Sequence, residues 1–411
     1  GRISRDQYQG VLLGYSLAYD ATPDPQLREL IRTDIVTFVE QLMRREEREV
    51  EIRIGGTEWS TEAELQYAVY TDDETEDGIP VIEIDPSSFD VYARGLVGFW
   101  PDASAILREI PGLGWLPDIE LPTQAIQLAA AFRVALQVTE GVPAYSARRA
   151  AIAAHYEAKV DDWLRIAVGW RNTNQCGDGY FGLNIGFLPL YNWARLETDP
   201  ARRGRIQREV LRDALWDAVA DHKNVHFAFI YASQAPAGES VSGIVDDHVA
   251  QLALFTGAPQ LALPVDLRDQ YSEDPNCPGL ATVAVNVDAR EAASFVWERP
   301  PWELVAPGTP RLVYPGIDFL LPYWMGRYYA FLQDDAPGTC LDWRFAGGAF
   351  DIDGDGSADA LTDGLLIIRY LFGFRGQSLV ENAVASACTR CTDRSLEARL
   401  EQVKTRLDID G

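Results

Sequence analysis

Positive charge is scarce in this chain: 36 lysines and arginines stand against 62 aspartates and glutamates, a net charge of −26. Such a surface repels nucleic acid and anionic membranes, so neither is expected as a partner. Long apolar runs are missing too. No stretch reaches the eighteen residues that a membrane helix needs, so no membrane span is expected. There is no Gly-x-Ser-x-Gly elbow, no phosphate loop and no dinucleotide fingerprint, which removes the serine-hydrolase and nucleotide chemistries those motifs serve. The opening Gly1-Arg-Ile-Ser-Arg has no basic-then-apolar leader and reads as a mature or a cytosolic start.

Soft metal ligands are few: five cysteines and four histidines. Cys388-Thr-Arg-Cys391 lacks both the βαβ setting of a redox pair and the further soft ligands of a zinc site. A local disulfide, or a bridge from one of the two to Cys340, fits better, and Cys176 is expected to pair with Cys277. These bridges imply an oxidising, extracellular setting.

What the chain does have is hydrophobic content of 47%, ample for one or two cores, and one dense acidic stretch. Asp351-Ile-Asp353-Gly-Asp355-Gly356-Ser357-Ala-Asp359-Ala-Leu-Thr362-Asp363 places carboxylates at alternate positions around a glycine. Hard cations want six to eight oxygens, and the sharp bend in such a loop needs a residue without a Cβ. Five aspartates between residues 351 and 363 would otherwise repel one another. The loop therefore predicts a calcium site, and millimolar extracellular calcium suits it.

This stretch resembles the calcium repeat of type I dockerins and the EF-hand loop. The resemblance implies Asp351, Asp353 and Asp355 as side-chain ligands, Ser357 through its carbonyl, and Asp359 directly or through water. The family closes the loop with an acid where this chain has Thr362; Asp363 comes one residue later and is carried as the closing ligand. Leu407-Asp408-Ile-Asp410-Gly411 repeats the opening of the loop, and either further chain or another copy is expected to complete it.

Earlier in the chain, Ser4-Arg-Asp-Gln7 is a capping box, and Asp24-Pro25 and Asp199-Pro200 are helix starts. Helical spacing then recurs through residues 8–19, 27–42, 123–138, 146–170, 180–194 and 206–219, with Pro189 expected to kink or split its helix. Asp246-Asp247 is expected to cap a shorter helix, and Asp318 to open another through Tyr328. Residues 48–120 alternate in short runs and predict strands or an irregular insertion, while 259–312 read as long loops. The expected fold is mainly α: helical hairpins over 1–335 in an α/α toroid or part of one, then a small dockerin-like module over 336–411, with the boundary near Asp334–Gly338.

Chemistry has two possible homes in the helical part. The cluster 221–231 holds His222, Asn224, His226 and Tyr231, the residue types that a polysaccharide lyase uses as base, carboxylate neutraliser and acid. In residue types it is similar to toroidal lyases, with Tyr8, Tyr19, Tyr180 and Arg327 as expected substrate contacts. A hydrolase would instead need two carboxylates across a cleft, for which Asp6, Asp20 and Asp178 are the candidates. The functional expectation is a secreted calcium-binding protein whose helical domain binds or cleaves extracellular polysaccharide. The alternative is a non-catalytic surface-layer or filament subunit joined to copies of itself through calcium.

Overall fold

The structure is a computed structural model that describes residues 4–71, 78–85, 91–104, 119–171, 175–177, 179–255, 261–262, 264–290, 295–313, 316–332, 351–356 and 362–407. It is mainly α-helical with several small sheets. Helix α1 (Arg5–Ala21) begins where the capping box predicts: the Ser4 hydroxyl accepts from Gln7 N, and the Gln7 side chain accepts from Ser4 N. Asp24 caps α2 (Pro25–Met43), which returns antiparallel and buries Ile31, Ile35, Val39 and Leu42.

The insertion is a sheet. Strands β1 (Glu46–Ile54) and β2 (Thr57–Leu65) form a hairpin turning at Gly55-Gly56, both left-handed at φ 55° and 84°. Strand β4 (Val81–Ile84) pairs parallel with β1 and antiparallel with β5 (Val91–Arg94), and β3 (Ala68–Tyr70) pairs with β6 (Leu96–Gly98). Val50, Ile52, Leu65, Ile82 and Ile84 close over a core of their own.

Three helices form the centre of the main core. Helix α3 (Pro122–Val138) and α5 (Phe181–Leu196) are apolar on nearly every side, as is α7 (Val225–Gln234), which marks them as inner helices. Around them lie the amphipathic α2, α4 (Ser146–Val168), the run that starts as α6 (Pro200–Arg205), and α8 (Ser242–Leu252). Helix α5 passes through Pro189 unbroken, against expectation. Burial of Leu183, Phe187, Leu190 and Trp193 outweighs the roughly 3 kcal/mol that an interior proline costs. After Arg205 the spacing widens into a π-helical run, Ile206–Trp216, where a regular α-helix was predicted. Asp246 and Asp247 lie inside α8 rather than capping it.

The inner helices run in one direction. The last turns of α1, α3 and α5 meet: Gln137 Nε2 donates to Asp20 Oδ1 (2.7 Å), Arg195 Nη1 to Asp20 Oδ2 (2.8 Å), and Ser16 Oγ to Gln137 Oε1 (2.7 Å). Their first turns therefore share the opposite end. There Tyr8 of α1 stacks on Phe38 and meets Phe99, next to the Trp100 N–H that donates to Gln124 of α3. Helix α7 joins that end through its cap, since Asn224 Nδ2 donates to the Trp297 carbonyl (3.0 Å) and to the hydroxyl of Tyr180, just before α5.

Residues 261–313 are not plain loops. Short antiparallel pairs brace them, β7 (Leu261–Ala262) with β12 (Thr309–Val313), β8 (Val265–Asp266) with β11 (Val305–Ala306), and β9 (Glu273–Asp274) with β10 (Cys277–Ala281). The Cys176–Cys277 disulfide ties this region to the segment before α5. Helix α9 (Ile317–Tyr328) follows, capped by Gly316, with Asp318 in its first turn. The C-terminal helices α10 (Asp363–Leu371), α11 (Gln377–Val380) and α12 (Asp393–Leu407) pack around a separate core of Ile352, Leu366, Tyr370, Leu379, Leu396 and Leu400. The expected boundary at 334–338 lies outside the described residues. No helix among the described residues is long and apolar enough to cross a membrane.

Candidate functional site

At the shared N-terminal end of the inner helices, polar side chains converge where an all-apolar core would be expected. Asn184, on the first turn of α5, donates from Nδ2 to Glu298 Oε1 at 2.5 Å, and its own Oδ1 is buried without a partner. Gln9 on α1 and Gln127 on α3 are buried at 3% and 1% exposure, and neither amide finds any hydrogen-bond partner among the described residues. Each such amide costs about 1–3 kcal/mol unless water or a ligand satisfies it. One turn before Gln9 stands Asp6, open to solvent on one side.

Asp6 and Glu298 are both pushed above the usual carboxylate range. For Asp6 the cause is burial, partly offset by the charge of Arg5. For Glu298 it is burial again; the Asn184 hydrogen bond pulls the other way, and the negative charge of Asp6 adds to the rise. Glu298 thus feels the charge of Asp6 and resists ionising, and buried amide atoms without partners among the described residues stand on the first two turns of α1, α3 and α5.

Of the acids named from sequence, Asp6 belongs to this end and Asp20 does not. Asp20 is fourteen residues along the same helix, about 21 Å at 1.5 Å per residue, and is held by Arg195 and Gln137. The carboxyl pair of a glycosidase spans about 5–9.5 Å, so Asp6 and Asp20 are no such pair. Asp178 lies outside the described residues. Glu298, Gln9, Gln127 and Asn184 were not singled out; glutamine and asparagine inside otherwise apolar helices were the available signal.

The residues of the 221–231 cluster divide. Tyr180, His222 and Asn224 do come together, with Tyr180 Oη 3.2 Å from His222 Nδ1. Their exposures of 3%, 6% and 1% leave no face for a polymer chain, and Asn224 serves as the cap of α7 by accepting from Phe227 N. Burial lowers His222 to about 4 despite the nearby Asp221 carboxylate. Tyr231 turns elsewhere, stacking on Trp216 and donating to Glu239. Tyr8 belongs to the aromatic packing described above, and Tyr19 lies under Arg28 and Arg32 at the rim of the first hairpin. His226 and Arg327 meet at another place, the wall of a cavity of about 590 Å³ between α1, α5, α7 and α9.

The acidic loop is folded. Oxygen atoms of Asp351, Asp353 and Asp355 all lie within 4.8 Å of one another, with Asp351 and Asp353 buried. The loop's own backbone holds them in place: Asp351 accepts from Gly354 N and Gly356 N, and Asp353 Oδ1 from Asp355 N. Gly354 and Gly356 are left-handed at φ 78° and 96°, which makes these close returns possible. Such a hard, all-oxygen donor set fits calcium or magnesium. Asp363 stands apart from the triad. Its carboxylate receives the amides of Ile352 (2.6 Å) and Asp353 (3.1 Å), so it braces the loop's backbone. Ser357 and Asp359 lie outside the described residues, as do Asp408, Asp410 and Cys340.

A strap backs the loop. Thr389 N and Arg390 N both donate to the Asp353 carbonyl, and the Thr389 hydroxyl donates to the Gly354 carbonyl. The Cys388–Cys391 disulfide closes that strap, which settles the choice against a bridge to Cys340.

No family model, curated protein or solved structure matches this chain.

Proposed function

We propose that this is an extracellular, divalent-cation-binding protein whose helical domain binds saccharide and hydrolyses a glycosidic bond at the Asp6–Glu298 end. The observation that carries the reading is Glu298, hydrogen-bonded to Asn184 and raised in part by the charge of Asp6, at the helix ends that also carry the Gln9 and Gln127 amides, unpaired among the described residues. Sugar hydroxyls are what paired acids and free amides recognise. Inner helices running one way, with outer helices returning, also suit part of an α/α toroid, whose ring of helix ends frames a saccharide cleft.

In this reading Glu298, desolvated and facing the charge of Asp6, keeps its proton and gives it to the leaving glycosidic oxygen. Asp6, eased by Arg5 and solvent, serves as the carboxylate. Water's hydroxyl ends on the anomeric carbon and its proton replaces the one spent. Calcium at Asp351, Asp353 and Asp355 gives the dockerin-like C-terminal module its cation-dependent fold.

The test is release of reducing ends from a panel of neutral and uronate-containing oligosaccharides. Glu298→Gln is expected to lower turnover about 10²–10⁴-fold while binding persists. Unsaturated products, or neither binding nor turnover on any member, would end the hydrolase reading. A second reading, a non-catalytic subunit assembled through calcium, has one observation in its favour. Helix α10 and the turn after it expose Ile368, Leu371, Phe372 and Phe374, an apolar surface on the module that carries the acidic loop. Sedimentation with calcium and with chelator distinguishes it: a monomer in both excludes calcium-linked assembly.

A further inference from the structure

The cavity between α1, α5, α7 and α9 has no part in the carboxyl site. Its volume of about 590 Å³ lies within the range of small-molecule pockets. Leu13, Leu17, Leu188, Ile230 and Leu321 give it predominantly apolar walls, and Trp324 and Tyr328 stand exposed at 58% and 66% on the α9 side. Apolar walls alone would say little about an occupant. His226 says more: it is fully buried in this wall, and neither ring nitrogen has a hydrogen-bond partner among the described residues. A buried, unsatisfied imidazole is a costly feature that a ligand's polar group would relieve.

Several other polar groups of the wall are already engaged. Asp20 is bound by Arg195 and Gln137, Tyr191 and Tyr329 hydrogen-bond each other at 2.7 Å, and Arg327 has interactions of its own. Burial holds His226 neutral, lowered to about 3, so the ring offers no charge to a carboxylate. Met325, in the same wall, has the flexible thioether that lets a pocket adapt to its guest.

We propose that this cavity binds an uncharged amphiphile, an apolar body with a single hydroxyl head that hydrogen-bonds to His226. The full-length protein is titrated with the neutral dye N-phenyl-1-naphthylamine, which is then displaced with 1-octanol or octanoate. Saturable dye binding is expected, with octanol displacing it at least tenfold more tightly than octanoate. Leu321→Trp fills the pocket from a half-buried position on α9 and is expected to abolish dye binding. His226→Phe keeps a ring but removes both nitrogens, and is expected to weaken octanol about tenfold. Absence of dye binding, dye binding unchanged in Leu321→Trp, or octanoate matching octanol overturns the proposal. The last two arms retain His226, so they decide the matter even if His226→Phe does not fold.

Discussion

Arg390 reaches across the foot of the acidic loop to Asp351, its Nη2 lying 3.3 Å from Oδ1 while its Nε holds the Ile352 carbonyl at 2.7 Å. Three aspartates crowd this loop, and Arg390 is a counter-charge that the chain itself supplies. Arg390→Met is expected to lower the stability of the C-terminal module by about 1 kcal/mol in chelator, the scale of a partly exposed ion pair. Excess calcium should restore most of that loss, because the ion takes over the neutralisation. Thermal melts with and without calcium check this: the calcium-induced rise in Tm should be larger in the variant than in the parent.

Removing the ion, or the central ligand, should release the small core beneath it. Asp353 is fully buried, and its oxygens also tie the loop to Ala385 N. Asp353→Ala is expected to abolish calcium binding in calorimetry and to weaken packing around Ile352 and Leu366. Unchanged stoichiometry in that variant would mean that the triad is not the site.

The strap at 388–391 is expected to make cation affinity redox-sensitive. Thr389 and Arg390 donate to the Asp353 carbonyl from within the segment that the disulfide closes. Replacing Cys388 and Cys391 together by serine should weaken calcium binding several-fold and leave the helical domain's melting unchanged. Equal affinity in the two proteins would remove the strap from the account.

Acid should destabilise the helical domain. His222 and His226 are lowered by burial from an ordinary value near 6.5 to about 4 and about 3. Below pH 6.5 the unfolded chain takes up protons that the folded one refuses, so stability present at neutral pH falls as the pH drops through that window. The loss is on the order of a few kcal/mol for the pair. Urea melts at pH 7 and pH 4.5 measure it, and His222→Gln should flatten the slope.

Gly326 lets α9 approach α7. A Cβ there would meet the Leu332 and Phe229 side chains at 2.9 Å, too close without displacement. Gly326→Ala is expected to cost about 1–3 kcal/mol of stability, read from the denaturant midpoint.

Much of the secondary structure was legible because its signals are local. The Ser4–Gln7 box, the Asp24 and Asp199 caps and the apolar spacing of residues 27–42 act within a few residues of chain. Pro189 and the π-helical run misled because tertiary packing overrode propensity there. The strand pairs of 261–313 were missed because two-residue strands carry no periodic pattern.

The clustering of Asp351, Asp353 and Asp355 was legible in sequence, since neighbouring residues supply both the carboxylates and the glycine turns. The carboxyl site was not. Asp6 and Glu298 are almost the whole helical domain apart in the chain, and only parallel inner helices, with the 295–299 turn folded over their ends, bring the charge of one to bear on the other. His226 was named from sequence as a catalytic candidate; only enclosure by α1, α5, α7 and α9 leaves it buried in a cavity wall with no partner among the described residues. Short-range chemistry is written along the chain, whereas desolvation and charge coupling exist only once distant segments exclude water together.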